Sequence, residues 1–365
     1  MQRSIRLLSA IGAAALVATA LVGCASETTS GGETPAAPQA PTDPNEISGE
    51  IDTSKVKKEL VVGVDNPHYL FHEDILVAEK KGYFKEVGID SVKIVTSDDP
   101  MPALVGGSLD LALFDTDGSV AANAAGGDIK FLSIYLGGEN NILGVGPGIN
   151  TADDLKGKTI TGGQDGSRNG FLLRKLLQEN GMDPENDVKI VSTGGQSNER
   201  LQAIIAGTVD GATIQPRHIA ILEAEGGKVL FSELTTAPQV GFATTGKFAS
   251  ENAETLAAFH IAILKARADI TDPANADEYL DHFESLGFDT PAAYRQAWPI
   301  ENDPDYHTLD GGFNIADMDG FIQEQIDFEE VPPGTDWRDA ADLMPLWRAQ
   351  TALGYDLRPA PDEVD

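Results

Sequence analysis

Polar side chains that could hold a small molecule fall into two groups along the chain. The first group is rich in acids and imidazoles and consists of Asp65, Asn66, His68, Tyr69, His72, Asp115 and Asp117. Carboxylates and imidazoles suit ligand N–H donors, and Tyr69, Phe71 or Phe114 could stack on a ring. This group predicts a neutral or cationic nitrogen-rich ligand, such as a pyrimidine or a related heteroaromatic compound.

The second group supplies amides, hydroxyls and two cations. It consists of Gln164, Ser167, Arg168, Asn169, Gln196, Gln215 and Arg217. Arg168 or Arg217, together with the backbone N–H groups of residues 166–169, could instead bind an organic anion such as a sulfonate. The residues alone leave both ligand classes open.

The spacing of the residues gives less support to a metal site, a phosphate-binding loop or a serine nucleophile. His68 and His72, with Asp65 or Glu73, could share a zinc ion if they lie four apart on a helix, but ordinary ligand contact explains the same pair. Lys158 and Thr159 follow a glycine as in a phosphate-binding loop, yet the earlier glycine of that motif is replaced by Ala152. No Gly-x-Ser-x-Gly motif occurs. We therefore predict a binding site without metal, cofactor or catalytic residues.

The elements that position these residues follow an α/β pattern. Residues 158–161 form a β-branched run, residues 162–169 a glycine-rich polar loop, and residues 171–180 a helical stretch that ends at Gly181. A loop between a strand and a helix directs free N–H groups at a ligand. In parallel α/β sheets such loops lie at the carboxyl ends of the strands, so both groups should line one cleft.

The first strand is expected at residues 60–64, followed by a helix over about 68–80 that carries His68 and His72 on one face. Residues 92–96 and 109–114 predict further strands, with a helix near 101–105 and an exit loop at 115–117. Residues 131–136, 141–145 and 240–244 predict three more strands. Ser250 should cap a long helix over 251–270, and residues 359–365 should form a frayed acidic tail.

An internal repeat relates two parts of the chain about a hundred residues apart. Residues 103–112 align with 203–212, residues 93–96 with 189–192, and residues 60–64 with 159–163. Because three ordered segments agree at nearly one offset, the repeat predicts two α/β lobes of similar topology. We place the first lobe at 59–145 and 240–365, including C-terminal helices with three tryptophans, and the second at 146–239.

The N-terminus reads as a secretory leader. Arg3 and Arg6 precede an apolar run over residues 7–22, and the sequence Leu-Val-Gly-Cys ending at Cys24 resembles the lipobox of bacterial lipoproteins. We predict a signal peptide over 1–23, lipid attachment at Cys24, a disordered tether over 24–58, and a location on the extracytoplasmic face of the membrane.

The net charge of the chain argues against nucleic acid as a partner. The chain holds 26 Lys plus Arg against 58 Asp plus Glu, a net charge of -32, which would repel nucleic acid. Cys24 is the only cysteine, so disulfides and cysteine nucleophiles are excluded.

Several motifs resemble those of a known family. Residues 78–89 (AEKKGYFKEVGI), 107–110 (GSLD), 153–158 (DDLKGK) and 207–210 (GTVD) are similar to substrate-binding proteins of ABC importers. The similarity is to the branch with nitrate, taurine and alkanesulfonate binders and NMT1/THI5-like pyrimidine binders. It implies a two-lobed, type II periplasmic-binding-protein-like α/β fold, with mixed, mainly parallel sheets and a two-strand hinge. The implied partners are a small ligand, an ABC permease and its ATPase, with the chain itself a monomer.

Within that branch, Asn66 and His72 resemble the asparagine and histidine of pyrimidine-binding members, which suggests a thiamine-precursor-like ligand. Asp74 departs from the pattern, because those members commonly have glycine there. The THI5-like pyrimidine synthases are the enzymatic alternative, but their cysteine-rich motif is missing from this chain. The resemblance thus implies a binding protein. We expect His72 and the first-lobe acids to select the ligand, and the second-lobe loops to control closure.

Overall fold

Eight strands form one mixed sheet in the computed structural model, which describes residues 46–64, 68–97, 99–163, 168–193, 196–288, 292–304 and 306–364. The strands are β1 Glu59–Val64, β2 Ser91–Thr96, β3 Leu111–Asp115, β4 Ile129–Val145, β5 Thr159–Thr161, β6 Lys189–Ile190, β7 Gly211–Ile214 and β8 Lys228–Thr245. Their order across the sheet is β2-β1-β3-β8-β4-β7-β5-β6. This arrangement confirms the predicted α/β class.

Helices cover both faces of the sheet. They are α1 Glu73–Lys81, α2 Tyr83–Glu86, α3 Met101–Val105, α4 Thr116–Ala124, α5 Ala152–Leu155, α6 Arg168–Glu179, α7 Ser197–Ile205, α8 Ile219–Ala224, α9 Gly246–Glu251, α10 Ala253–Ile270, α11 Ala276–Ser285, α12 Ala292–Glu301, α13 Ile315–Asp327, α14 Met344–Leu353 and α15 Pro361–Val364. Short 3-10 turns occupy Tyr69–Phe71, Pro216–His218, Pro273–Asn275 and Trp337–Ala340. Among the described residues, no helix is both long and apolar enough to cross a bilayer.

Two long antiparallel strands, β4 and β8, connect the two ends of the sheet. We call β1, β2 and β3 the first half and β5, β6 and β7 the second half. In the first half β3 pairs with β8, and in the second half β7 pairs with β4. The two strands predicted at 131–136 and 141–145 are therefore one strand, because the chain stays extended through Gly137 and Gly138. The pairing shifts register there, from Leu136 with Val240 to Gly138 with Thr236.

The internal repeat is present as a repeated hydrogen-bond pattern. Asp110 accepts the N–H of Val61 at 2.9 Å, and Asp210 accepts the N–H of Thr159 at 2.8 Å. A lysine lies beside each carboxylate, Lys57 at 2.5 Å from Asp110 and Lys158 at 3.7 Å from Asp210. Val61 is thus the equivalent of Thr159, so the sequence alignment of the first strands was wrong by one residue. The alignment of the other two segments matches the pairing of β1 and β5 with their neighbours.

Each half has its own apolar core. In the first half, Val62 and Val64 pack with α1 and with Phe259 of α10. In the second half, Leu143, Ile160 and Leu173 pack around β5 and α6. Burial of these side chains, at about 25 cal/mol per Å² of apolar surface, is the main force that holds the helices on the sheet.

Several predicted boundaries differ from the structure. Helix α6 begins at Arg168, so Asn169 belongs to its first turn and not to a loop. The stretch 115–117 is no exit loop, because α4 starts directly after Asp115. Ser250 lies inside α9, and Asn252 separates α9 from α10.

The C-terminal tail is docked and not frayed. Pro361 is buried, and the indole N–H of Trp347 donates to the carbonyl of Pro359 at 2.8 Å. The apolar and hydrogen-bonding contacts of this short segment outweigh the solubility of its acids.

Candidate functional site

The structure describes only part of the predicted ligand set. Cys24, Asp65, Asn66, Gln164 and Ser167 lie outside the described residues, and the side chains of Tyr69 and Arg168 lie outside them as well. His68, His72, Asp115, Asp117, Asn169, Gln196, Gln215 and Arg217 are described. Their surroundings show which of them meet.

His68 and His72 do not share one helix. The 3-10 turn Tyr69–Phe71 separates them, and α1 starts only at Glu73, with His72 as its N-terminal flanking residue. The predicted four-residue spacing on a helical face was therefore wrong, and it was the basis of the zinc alternative. No group of three or more His, Cys, Asp or Glu side chains in the described chain is arranged to hold a metal ion.

A C-terminal helix brings the loops of both halves together. The ring of His68 lies 5.5 Å from that of Tyr294 in α12, and the ring of His72 lies 5.2 Å from that of Phe288 just before it. At its other end α12 reaches the second half, where Glu301 accepts a hydrogen bond from Arg217 at 3.1 Å. We call the region where these residues meet the junction.

Arg217 is engaged within the junction. Besides Glu301, it donates to the hydroxyl of Ser197 at 3.4 Å, and the Glu301 side chain is only 1% exposed. A guanidinium that already faces a buried carboxylate contributes little net positive charge to an incoming ligand. The sequence placed Arg217 in the site, but it did not identify Glu301 as its partner.

The imidazoles of His68 and His218 are uncharged at neutral pH. Burial, with smaller effects of Arg217, His218 and His72, lowers the pKa of His68 to about 2. Burial and Arg217 likewise lower the pKa of His218 to about 3, and His218 forms a 2.7 Å hydrogen bond with the side chain of Asn198. Neutral imidazoles can donate and accept hydrogen bonds without adding charge.

A buried ion pair lies directly after His72 and Glu73 in the chain. Arg267 of α10 donates to Asp74 at 3.0 and 2.6 Å, and both side chains are 1% exposed. Its remaining guanidinium nitrogen donates to the carbonyls of Ile134 and Thr308. Glu73, next to Asp74, is completely buried, and burial raises its pKa well above the usual value.

Other predicted residues are placed differently. Phe114 is buried in the apolar core and is not available to stack on a ligand. Asp115 and Gln196 are exposed, whereas Asp117, Asn169 and Gln215 are half-buried.

The buried Arg200 was missed, although its position three residues after Ser197 could have suggested it. Its guanidinium donates to the carbonyl of Thr213 at 2.8 Å, and burial lowers its pKa to about 10. Nothing in the sequence indicated His307 or Glu301.

Loops from two similar halves, which two long strands connect, define the fold class of two-lobed periplasmic binding proteins. The chain matches the family described as NMT1/THI5 like over residues 71–276. This protein therefore belongs to the NMT1/THI5-like family.

Individual relatives agree with this class. YtlA of Bacillus subtilis (strain 168), to which a binding role is attributed, is 25% identical over 289 residues, which cover 72% of this chain and 84% of YtlA. The periplasmic aliphatic sulphonate binding protein SsuA from Escherichia coli has a similar structure, with a TM-score of 0.61 and 18% identity over 80% of this chain and 99% of SsuA. The periplasmic nitrate-binding protein NrtA from Synechocystis PCC 6803 gives a TM-score of 0.53 and 15% identity over 81% and 89% of the two chains. At these identities, the two structures show a shared fold.

Proposed function

We propose that this protein is the substrate-binding component of an ABC-type importer and captures a small polar nitrogen-containing ligand between two lobes. In this proposal the first lobe comprises residues 59–145 and 240–365, and the second comprises 146–239. The permease and its ATPase are the partners, and the lipid-modified Cys24 anchors a monomeric chain to the extracytoplasmic face. Family membership, the fold and the lipobox support this role, and the names of SsuA and NrtA indicate that proteins of this fold bind small solutes.

We infer the ligand class from the charges of the side chains in the junction. Arg217 faces Glu301, the imidazoles of His68 and His218 are uncharged near neutral pH, and Glu73 adds a buried carboxyl group. Such a set favours a neutral or cationic ligand with N–H donors, for example an aminopyrimidine, over a sulfonate. An organic anion is the alternative, and it would require Arg217 to exchange Glu301 for the ligand.

A thermal-shift screen tests the ligand class. Aminopyrimidines, amines and amidines should raise the unfolding temperature, since a ligand at a hundred times its dissociation constant adds about 2.7 kcal/mol to the free energy of unfolding. Ethanesulfonate and nitrate serve as the matched anionic set. Stabilisation by the anions alone would refute the nitrogen-rich ligand but leave the importer role intact.

The anchor is tested separately. A Cys24→Ala variant should appear in the soluble extracytoplasmic fraction, and Cys24→Ala protein that stays with the membrane would count against lipid attachment. Purified protein should return each probe chemically unchanged, because we propose binding without catalysis.

A further inference from the structure

Glu73 is the one carboxyl group at the base of the junction to which the described chain supplies no Lys or Arg within ion-pair distance. Asp74 has Arg267 and Glu301 has Arg217, but the nearest basic group to Glu73 is His307, with its Nε2 atom 3.8 Å from Oε1. Glu73 is 0% exposed, and neither of its oxygens accepts a hydrogen bond from a described residue. Leaving a buried acceptor unsatisfied costs about 1–3 kcal/mol, more for a charged group, so this arrangement calls for an explanation.

The side chains of His307 and Asn302 also contain buried polar atoms without a hydrogen-bond partner among the described residues. Neither ring nitrogen of His307 takes part in a hydrogen bond with described residues, although the side chain is 1% exposed. Asn302, which directly follows Glu301, is 4% exposed, and neither its amide oxygen nor its amide nitrogen has a partner among described residues. Unsatisfied polar atoms thus occur on α1, directly after α12 and in the loop that follows it.

The position of these groups connects them to the ligand loops. Glu73 directly follows His72, whose ring contacts Phe288, and Glu301 lies close enough to Glu73 to raise its pKa. Glu301 in turn binds Arg217 of the second half. The unsatisfied groups thus border the place where both halves and α12 meet, and do not lie in a remote part of the core.

We propose that Glu73, together with His307, accepts the hydrogen bonds of a protonated amine or amidine group of the ligand. This inference rests on the proposed binding function and specifies which chemical group of the ligand contacts Glu73 and His307. A planar amidinium offers two parallel N–H donors to a carboxylate, which is the strong bidentate arrangement. The uncharged His307 provides a further acceptor without repelling the cation.

The proton balance follows from the groups around Glu73. Burial and the nearby carboxyls of Asp74 and Glu301 raise its pKa, Arg267 lowers it to a smaller extent, and burial keeps His307 neutral. Without ligand, the protonated form of Glu73 is therefore favoured more than that of an exposed glutamate. When the cation binds, Glu73 ionises and its proton goes to the solvent, so binding of one cation should release about one proton.

Calorimetry on the full chain with benzamidinium as the probe tests this proposal. Titrations at pH 7 in phosphate and in Tris, which differ in ionisation enthalpy, report the protons released. We expect about one proton per benzamidinium for the wild type. We expect at least about tenfold weaker binding and no proton release for Glu73→Gln, since the amide cannot ionise. Neutral benzamide is the matched ligand and should release no proton.

Control variants separate a ligand role from a structural one. Glu254→Gln removes a carboxylate of α10 that pairs with Arg348 of α14, and this variant should bind benzamidinium as the wild type does. His307→Gln should weaken binding independently, and it keeps the proposal testable if Glu73→Gln fails to fold.

Three results would overturn the inference. They are unchanged benzamidinium affinity in both Glu73→Gln and His307→Gln, binding of ethanesulfonate with none of benzamidinium, or binding of neither probe by the wild type. Ethanesulfonate binding would still support the importer role, so the two proposals can fail separately.

Discussion

Replacement of Arg267 by Met should lower the free energy of unfolding by about 3–5 kcal/mol, the usual cost of removing one partner of a buried ion pair. The guanidinium makes hydrogen bonds of 3.0 and 2.6 Å to Asp74, and of 3.1, 2.6 and 3.2 Å to the carbonyl of Ile134 and to the carbonyl and hydroxyl of Thr308. Without it, Asp74 stays buried with no cation, and the carbonyl of Thr308 loses a donor.

The assay is urea unfolding at 25 °C followed by circular dichroism. Arg295→Met is the matched control, because Arg295 also pairs with two carboxylates, Asp277 and Asp281, whose side chains are 83% and 68% exposed. That control should cost less than about 1 kcal/mol. The double variant Arg267→Met with Asp74→Leu should recover much of the loss, since it leaves no buried charge. If Arg267→Met costs no more than Arg295→Met, the buried pair does not stabilise the fold as described.

Three further outcomes are expected. The pKa of His218 is about 3 in the fold against 6.5 for the free group, so the free energy of unfolding of the wild type falls as the pH drops from about 6.5 toward 3. His218→Gln should make the free energy of unfolding less dependent on pH in this range. Identical urea midpoints for both proteins across pH 7 to 4 would contradict this. Arg217→Met leaves Glu301 buried without its cation, so it should lower the free energy of unfolding by about 1–3 kcal/mol and speed amide exchange in α12 and Pro216–His218. Unchanged exchange would show that the ion pair does not hold the two halves together. Asp110→Asn should cost about 1–2 kcal/mol and Asp210→Asn less in urea unfolding, because their side chains are 11% and 39% exposed, and the reverse order would refute the comparison.

Sequence patterns predicted the sheet and its repeat because these depend on local chemistry. The helix end at Gly181 and the β-branched run of β5 each depend on a few consecutive residues. The junction could not be predicted in the same way. Glu301 lies 84 residues from Arg217, and no pattern in α12 indicates a partner so far away.

His68 and His72 show that prediction from sequence can also fail within a single loop. A helix through His68 and His72 suits the local propensities, yet the chain forms a 3-10 turn before α1 and directs the carbonyl of Leu70 at the hydroxyl of Tyr135. Tyr135 belongs to β4, so the turn before α1 has a hydrogen-bond partner on a strand distant in sequence. Buried polar groups require specific partners, and those partners are set by tertiary structure.

Helix α12 lies outside the part of the chain that matches the family. Residues 71–276 include Arg217 and both strands that join the halves, but Tyr294, Glu301 and His307 come later in the sequence. The strands that join the halves thus lie within the family match, whereas part of the site that we propose lies after it in the sequence. All eight strands end by Thr245, so we expect substitutions after residue 276 to change the accepted solute at the proposed site while the sheet stays unaltered.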